Sequence, residues 1–542
     1  KFNFMSVSSA PSTTMSIFET LSIWVKGRPK FFAWISVFEE VDNTLMFNFS
    51  EKNFFANKST KIFAVDPVPK PITIFDFIKV NASFAAASLA LSKFIEISDT
   101  IHPLFKFCNN VSNSYYSQIR KNNLLNVNIV ISKGRYLSLQ VNLENIQEAR
   151  NLLNNNTVIT PEIKSNYLSK LINGNVFLKL ENLQHTSSFK ARGAFISIDR
   201  LEEQNKKKGV IAMSAGNHAQ AVAWWAREQG IKATIVMPEQ APFAKVMKTK
   251  EYGANVILKG RTLDESQSFV KEKIKEEGLT LIHPYDNYNV ILGQGTIGIE
   301  FLESVPDLDC LIIPIGGGGL ISGIAIAAKS INPKIKIYGI QTKKFPAMYN
   351  LLKNKQLNIT GDTIADGIAV KIPGEITGSI IRNYVDDIIL VNEFEIEKAI
   401  SSLFENDRVV SEGAGAVGVA AIMKSPDLFQ GLNTGTVICG GNIDARVFAS
   451  ILNRKLSRDG RLAKVRIDIL DEPGMLARIS NLIAENGGNI IEIFHQRMFH
   501  DVPVKNAKID AVIEALSTNH IKTIIDSLEN DGFTVNEIND RS

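Results

Sequence analysis

The pattern of hydrophobic and polar positions changes near residue 141. Beyond it, short continuous apolar runs alternate with segments whose apolar residues recur at helical spacing. This alternation is typical of an α/β protein whose parallel sheets are covered on both faces. The predicted strands are residues 176–180, 209–213, 233–237, 255–258, 311–315, 336–340 and 436–438. The predicted helices are residues 142–153 with Asn142 as the cap, a helix beginning at Lys190, and residues 219–228, 243–252, 265–277 and 320–330.

After about residue 462 the pattern shifts to that of a half-exposed sheet. Residues 463–469 alternate apolar and polar positions, and a helix is predicted at residues 475–485. Strands at 490–496 and 508–513, a helix at 520–530 and a strand at 534–538 complete the order βαββαβ. This order predicts a separate ferredoxin-like domain with an antiparallel sheet over residues 463–540.

Residues 1–140 show neither helical nor alternating periodicity. They hold 17 of the 31 phenylalanines but only Gly27 and Gly134 of the 35 glycines. Two interpretations compete, an unfamiliar N-terminal domain or an upstream stretch that is not natural coding sequence. Because the chain opens on Lys1, we favour the second, and we place the main domain at residues 141–457.

Composition narrows the class of protein. The net charge of +4 is small for 542 residues and predicts neither a nucleic-acid nor a membrane partner. Cys108, Cys310 and Cys439 have no spacing typical of a disulfide framework or a zinc site. No run of about 18 apolar residues predicts a membrane span. A cytoplasmic protein with small-molecule ligands is therefore expected.

The first candidate for chemistry is Lys190. The apolar run 176–180 enters a polar turn, and Lys190 then begins a helix whose next residues include Gly193 and Ala194. Small residues there allow close packing, so the lysine can leave water and project into a cleft. An amine in such a cleft can lose its proton and act as a nucleophile or base.

A second candidate is the loop formed by Gly316, Gly317, Gly318 and Gly319. It lies between a predicted strand and a predicted helix, where backbone N–H groups and the helix dipole favour an anion. The dinucleotide pattern fails because Ser322 stands at its third glycine, and the loop contains no Gly-Lys-Ser/Thr. We therefore predict a phosphate site of another type.

Two further loops follow predicted strands. Residues 214–218 (Ser-Ala-Gly-Asn-His) offer backbone donors suited to a carboxylate, and Cys439 begins the motif Cys-Gly-Gly-Asn at 439–442. In open α/β sheets, ligands bind at the carboxyl ends of the strands. A lysine, an anion loop, a carboxylate loop and a small polar group at one crevice match a phosphorylated aldehyde held by a lysine.

Residues 142–457 resemble the threonine/serine dehydratases, which are pyridoxal-phosphate enzymes of the tryptophan-synthase-β-like family (fold type II). The resemblance rests on motifs in the same order: Ser-Phe-Lys-Ala-Arg-Gly-Ala at 188–194, the 214–218 loop, His-Pro-Tyr-Asp at 283–286, Gly-Gln-Gly-Thr at 293–296, the four glycines, Ala-Asp-Gly-Ile-Ala-Val at 365–370 and Glu-Gly-Ala-Gly at 412–415. It implies two doubly wound subdomains, pyridoxal 5′-phosphate as cofactor, and threonine ammonia-lyase activity with serine as a second substrate.

The resemblance also implies roles for individual residues. Lys190 bonds the cofactor aldehyde and is the catalytic base. The other cofactor-binding residues are Phe189 on the ring, Asn217 at the 3′-oxygen, Gly316, Gly317, Gly318, Gly319 and Leu320 at the phosphate, Gly367 and Glu412 beside the ring, and Cys439 at the pyridine nitrogen. The substrate-binding residues are Ser188, Ser214, Ala215, Gly216, Asn217 and His218.

Three departures from the family pattern sharpen these expectations. Ser187 stands where the family has glycine, which bears on the backbone geometry of the turn. Ala215 replaces the serine that serves related serine racemases as a second base, so racemisation is not expected. The cation-binding carboxylates of those racemases align with Gln341 and Ala347, and we therefore expect no metal site.

The C-terminal unit resembles an ACT domain, with Gly474 and Asn489 at its ligand-binding positions. It is expected either to bind isoleucine or valine as an effector or to act only in dimerisation, in a homodimer or homotetramer. Two alternative functions remain open: β-replacement of the cysteine synthase type and a non-catalytic metabolite sensor. Both isoleucine biosynthesis and threonine degradation are compatible with these residues.

Overall fold

A computed structural model describes residues 34–41, 44–50, 141–261, 263–497, 503 and 505–538. The chain divides into two units, Lys1–Ser138 and Leu139–Ser542. In the first unit, strands β1 (Trp34–Val41) and β2 (Thr44–Ser50) pair antiparallel. The remaining expectations for residues 1–140 lie outside the described residues.

The second unit contains the other strands and helices. Its strands are β3 (Glu162–Lys164), β4 (Asn175–Lys179), β5 (Val210–Met213), β6 (Ala233–Met237), β7 (Asn255–Leu258), β8 (Thr280–Leu281), β9 (Cys310–Pro314), β10 (Lys336–Thr342), β11 (Asp387–Val391), β12 (Asn433–Val437), β13 (Leu462–Leu470), β14 (Asn489–Gln496), β15 (Asn506–Glu514) and β16 (Thr534–Glu537). Its helices are α1 (Leu143–Leu153), α2 (Asn166–Leu171), α3 (Lys190–Asp199), α4 (Glu203–Lys208), α5 (Asn217–Glu228), α6 (Phe243–Glu251), α7 (Leu263–Glu277), α8 (Tyr288–Ser304), α9 (Gly319–Ile331), α10 (Ala347–Lys353), α11 (Glu375–Tyr384), α12 (Glu393–Ser402), α13 (Gly413–Lys424), α14 (Ala445–Arg458), α15 (Met475–Glu485) and α16 (Thr518–Asn530).

A six-stranded sheet in the order β11-β10-β9-β12-β4-β3 forms the large lobe with the helices that cover it. All neighbours are parallel except the edge strand β3, which pairs antiparallel with β4. Strand β9 at its centre is buried along its whole length. Burial on both faces explains why this strand is a continuous apolar run.

A four-stranded parallel sheet in the order β7-β6-β5-β8 forms the small lobe together with helices α5, α6 and α7. Its core includes Val222 and Trp225 from α5 and Ile235 from β6. The two parallel sheets confirm the predicted α/β architecture. Helix α5 begins two residues earlier than predicted, because Asn217 and His218 already have helical geometry after the Gly216 cap.

The C-terminal segment forms an antiparallel sheet in the order β14-β15-β13-β16, with helices α15 and α16 packed on it. Ile467, Ile483 and Leu528 lie in a core of their own. The observed order of elements is the predicted βαββαβ. Among the described helices, none is both long enough and apolar enough to cross a membrane.

Candidate active site

Lys190 begins helix α3 after two short 3-10 turns that follow strand β4. Its Nζ donates a hydrogen bond to the carbonyl oxygen of Pro284 at 2.6 Å. Burial lowers the pKa of Lys190 to about 8, although Cys439 and Glu412 act in the opposite direction. A fraction of this amine is therefore neutral near pH 7 and available as a nucleophile or base.

The turn before Lys190 has an unusual backbone. Thr186 and Ser187 lie in the left-handed region, with φ of +55° and +54°. Glycine adopts this region at no steric cost, whereas a β-carbon makes it unfavourable. Ser187 therefore stands where glycine would be easier, and its carbonyl oxygen accepts a hydrogen bond from the Gly441 N–H at 3.0 Å.

The glycine loop links strand β9 to helix α9. Gly318 has φ of +98°, in the left-handed region. A β-carbon at Gly317 would stand 2.2 Å from the ring of Tyr285, and one at Gly318 would stand 2.8 Å from Thr377 Cβ. Side chains are thus excluded from this loop by its neighbours, and only its backbone can meet a ligand.

A turn and a helix start support the glycine loop. The Thr377 hydroxyl donates to the Gly317 carbonyl oxygen at 2.6 Å, which fixes the peptide that follows Gly317. The Asp286 carboxylate accepts from the backbone N–H groups of Glu375 and Thr377, each at 3.0 Å, at the start of α11. The turn at 284–286 therefore contacts both Lys190, through the Pro284 carbonyl oxygen, and Thr377, which supports the glycine loop.

The 214–218 loop connects strand β5 to helix α5. The Ser214 Oγ accepts from the Gly216 N–H at 3.2 Å, and Gly216 precedes the first helical residue. His218 is buried and its Nε2 lies 2.8 Å from the carbonyl oxygen of Ile282. Burial, together with the nearby Lys190, lowers the pKa of His218 to about 3, so its ring is a neutral structural group.

Ser188 lies beside the loop that follows β12. The backbone of Ser188 forms an isolated antiparallel β-bridge with Gly440. Ser188 is fully buried, and its Oγ has no hydrogen-bond partner among the described residues. Because buried hydroxyls are almost always paired, this oxygen is a candidate contact for a bound ligand.

Asn217 and Glu412 meet across the cleft. The Asn217 Nδ2 donates to the Glu412 Oε1 at 2.7 Å. A β-carbon on Gly367 would lie 3.4 Å from the same oxygen, so these residues share one wall. Burial, with the nearby Asp366 carboxylate, raises the pKa of Glu412 to about 7. Asp366 itself forms an ion pair with Lys245 of helix α6.

Cys439 and Phe189 lie next to Lys190. The Cys439 carbonyl oxygen accepts from the Phe189 N–H at 3.1 Å, and the Lys190 Nζ lies 5.1 Å from the centroid of the Phe189 ring. Burial, reinforced by Glu412, raises the pKa of the Cys439 thiol well above its usual range. The thiol is therefore neutral and cannot serve as an anionic partner.

The residues present fit a phosphorylated pyridine aldehyde. A primary amine with lowered pKa, a glycine cradle without side chains and a polar wall of Asn217 and Glu412 are the groups that such a cofactor requires. The structure therefore defines a fold type II pyridoxal-phosphate enzyme.

Comparison with known proteins agrees with this class. Residues 154–440 match the family model "Pyridoxal-phosphate dependent enzyme". L-threonine ammonia-lyase of Thermotoga maritima is 43% identical over 397 residues, covering 73% of this chain and 99% of its own length. L-threonine dehydratase catabolic TdcB of Staphylococcus aureus is 46% identical over 323 residues, covering 58% of this chain and 93% of its own.

Solved structures show the same relationship. Maize serine racemase aligns with a TM-score of 0.55 and 34% identity, covering 59% of this chain and 98% of its own. The processed form of threonine deaminase isoform 2 from Solanum lycopersicum aligns with a TM-score of 0.55 and 32% identity, covering 60% of this chain and 94% of its own. The chain thus belongs to the pyridoxal-phosphate-dependent enzymes, as a lyase related to the threonine ammonia-lyases, and its cofactor is pyridoxal 5′-phosphate.

Some contributors to the site were not predicted from the sequence. Pro284 and Asp286 lie in the His-Pro-Tyr-Asp motif at 283–286, but no contact was predicted for either of them. Thr377 lies in no motif, and it reaches the glycine loop from a segment far along the chain. Asn442 ends the Cys-Gly-Gly-Asn motif, which predicts no contact for its side chain. Gln341 and Ala347 are buried; the Gln341 Oε1 accepts from the Tyr349 N–H at 2.9 Å. Within the described residues, no cluster of three or more metal-ligating side chains occurs.

Proposed function

We propose that this lyase converts L-threonine to 2-oxobutanoate and ammonia, and L-serine to pyruvate and ammonia. The observation that carries the proposal is the combination of Lys190, which is buried on the Pro284 carbonyl oxygen and has a lowered pKa, and Ala215 in the 214–218 loop. One amine can remove the Cα proton, and the methyl side chain of Ala215 cannot serve as the second base that serine provides in the related racemases.

Lys190 would hold the cofactor aldehyde covalently, while the N–H groups of residues 316–320 would hold its phosphate. Asn217 would donate to the 3′-oxygen, and Phe189, Gly367 and Glu412 would line the ring. When bound, pyridoxal phosphate supplies an electron sink for the bond broken at the substrate Cα. Ser188 and the 214–218 loop would receive the substrate carboxylate through hydroxyl and backbone N–H donors.

Once the substrate amine replaces it on the aldehyde, the freed and neutral amine of Lys190 would accept the Cα proton. The β-hydroxyl would take up one proton and leave as water, so that the site loses no net proton. The resulting enamine tautomerises and is hydrolysed to the 2-oxo acid and ammonia. The neutral Cys439 thiol supports elimination, since it offers no anion to keep the pyridine nitrogen protonated. Cys439 would thus store less negative charge on the cofactor side of the site than an anionic partner would, which would favour rapid loss of the β-group over transamination.

The decisive assay supplies threonine alone and measures 2-oxobutanoate. Turnover without a second nucleophile supports the lyase, whereas turnover only with added sulfide would identify β-replacement.

Lys190→Ala should abolish both the visible absorbance of the lysine-bound cofactor and turnover. The matched control is Lys250→Ala, which removes an exposed lysine on α6. Substantial turnover by Lys190→Ala would contradict the proposed role.

We further propose that the C-terminal unit is an ACT domain that binds isoleucine or valine and regulates the enzyme. Gly474 has φ of +92° at the start of α15, with open space where a β-carbon would point. Asn489 begins the exposed strand β14, and its Nδ2 donates to the Glu514 Oε2 at 3.2 Å. Millimolar isoleucine or valine should change the threonine saturation curve, and Gly474→Val should remove that change. Identical curves with and without both amino acids would exclude the effector role.

We also propose a cytoplasmic homodimer or homotetramer. Apolar side chains that are largely exposed in the single chain support the assembly: Ile159 is 72% exposed and Leu516 is 83% exposed. Light scattering of the purified protein measures its mass directly. A monomer at micromolar concentration would contradict the assembly.

A further inference from the structure

Asn442 ends the Cys-Gly-Gly-Asn motif, and the site described above gives it no role. Its side chain makes three hydrogen bonds. The Oδ1 accepts from Lys248 Nζ at 2.8 Å, and the Nδ2 donates to Thr186 O at 2.8 Å and to Asn217 Oδ1 at 2.9 Å. All hydrogen-bonding positions of the amide except one acceptor lone pair are thus in use.

These contacts have a fixed direction. An ammonium can only donate, so Lys248 holds the oxygen of Asn442 toward helix α6 and leaves its NH₂ group facing the cleft. The NH₂ group of Asn442 then donates a hydrogen bond to the side-chain oxygen of Asn217. As a result, the NH₂ group of Asn217 faces the Glu412 carboxyl group at 2.7 Å.

The two ends of an amide have nearly the same shape, so their orientation is decided by their partners. A reversed Asn217 would place its oxygen beside the Glu412 carboxylate and its NH₂ group against the NH₂ group of Asn442. The contact between the two NH₂ groups would be repulsive in every protonation state, and the contact with Glu412 would be repulsive when its carboxyl group is ionised. We propose that Asn442 and Lys248 are positioning residues that fix the amide of Asn217 with its donor toward the cofactor.

The chain of hydrogen bonds joins the two lobes. Lys248 and Asn217 belong to helices α6 and α5 of the small lobe. In the large lobe, Asn442 lies in the loop after strand β12, and Glu412 directly precedes helix α13. Lys245, one helical turn before Lys248, forms its ion pair with Asp366 of the large lobe. Helix α6 therefore contacts the large lobe at two residues, Asp366 and Asn442, and the second contact ties the orientation of Asn217 to contact between the lobes.

This inference rests on the cofactor contact proposed for Asn217, and a double-mutant cycle separates the two. The dissociation constant of pyridoxal phosphate is measured for wild type, Asn442→Leu, Asn217→Ala and the double variant, with circular dichroism as a check on folding. Asn442→Leu should weaken binding about tenfold, the factor for a hydrogen bond of about 1.4 kcal/mol. In the Asn217→Ala background, it should change binding by less than about twofold.

Each outcome decides one claim. If Asn217→Ala leaves the affinity unchanged, the cofactor contact of Asn217 is wrong, and the positioning proposal fails with it. If Asn217→Ala weakens binding and Asn442→Leu does not, only the positioning proposal fails. An equal loss from Asn442→Leu in both backgrounds would show a role independent of Asn217 and would also overturn it.

Lys248→Met provides a second test on a helix near the surface, should Asn442→Leu fail to fold. It should weaken cofactor binding about threefold to tenfold in the wild-type background. In the Asn217→Ala background, it should leave cofactor binding unchanged. The matched control is Lys250→Met, the same substitution at an exposed position of α6, which should leave the dissociation constant unchanged. Equal effects of Lys248→Met and Lys250→Met would overturn the role of Lys248.

Discussion

Arg192, two residues after Lys190, is fully buried between two carboxylates. Its Nε and Nη2 donate to both oxygens of Glu181 at 2.9 and 2.8 Å, and its Nη1 and Nη2 donate to both oxygens of Glu300 at 2.5 and 2.8 Å. Burial lowers the pKa of Arg192, but the two carboxylates outweigh it and raise that pKa overall. Arg192→Met would remove the cation and leave the carboxylates in place.

The cost of this substitution follows from what remains. Glu300 keeps Lys179 at 2.9 Å, but Glu181 keeps only the Thr160 hydroxyl at 2.6 Å and becomes a buried, uncompensated charge. Removal of one partner from a buried ion pair costs about 3–5 kcal/mol. We therefore expect Arg192→Met to lower the free energy of unfolding by about that amount. The free energy of unfolding of Arg192→Lys should lie between those of wild type and Arg192→Met, since an ammonium keeps the charge but cannot bind two carboxylates bidentately.

The assay is urea unfolding of the apoenzyme, followed by tryptophan fluorescence and circular dichroism. The chain offers a matched control in Arg150, which also binds a carboxylate through two contacts, at 2.6 and 2.5 Å to Glu303. That pair is at the surface, with side-chain exposures of 35% and 55%, so Arg150→Met should cost about 1 kcal/mol or less. A cost for Arg192→Met no greater than for Arg150→Met would refute the reasoning.

Three further outcomes are expected. Ser187→Gly should stabilise the protein by about 1 kcal/mol, seen as a higher melting temperature, because glycine adopts the positive φ of this residue without strain; a lower melting temperature would contradict this. Because only the neutral amine reacts with an aldehyde, the rate at which the apoenzyme takes up pyridoxal phosphate should rise with pH through about 8 and then level off; a midpoint near that of a free lysine would contradict the shifted pKa. The folded-state pKa of Glu412 (about 7) lies above its ordinary value, so its contribution to stability is present at low pH and lost as pH rises through 7. The stability of wild type relative to Glu412→Gln should therefore fall by about 3 kcal/mol between about pH 5 and about pH 8, and a difference independent of pH would contradict it.

Local patterns identified the parts of the site that depend on neighbours in sequence. The four glycines and the 214–218 loop follow apolar strands directly, so their place at the carboxyl ends of β9 and β5 could be predicted. The start of α3 at Lys190 and the Asn142 cap of α1 were also predicted and are confirmed. Each of these features needs information from fewer than about ten consecutive residues.

The contacts that support the site could not be predicted in this way. Strand β12 begins at Asn433, three residues before the predicted start, because its polar residues pair with distant segments. The Asn433 N–H donates to Asp309 at 2.8 Å, and the Thr436 hydroxyl donates to the Ile312 carbonyl oxygen at 2.8 Å. Likewise, Thr377 and Gly317 are far apart in sequence. Polar residues with long-range partners have no local signature, so their burial is known only from the fold.

Helix α3 places two cations two residues apart and gives them opposite surroundings. Arg192 faces Glu181 and Glu300 and keeps its charge. Lys190 faces the Pro284 carbonyl oxygen, a neutral thiol and a carboxyl group whose own pKa is raised to about 7. The carboxylates that pair with Arg192 are therefore on the structural side of the helix. The cation that pairs with two buried carboxylates retains its proton, and the amine proposed to transfer one can lose it.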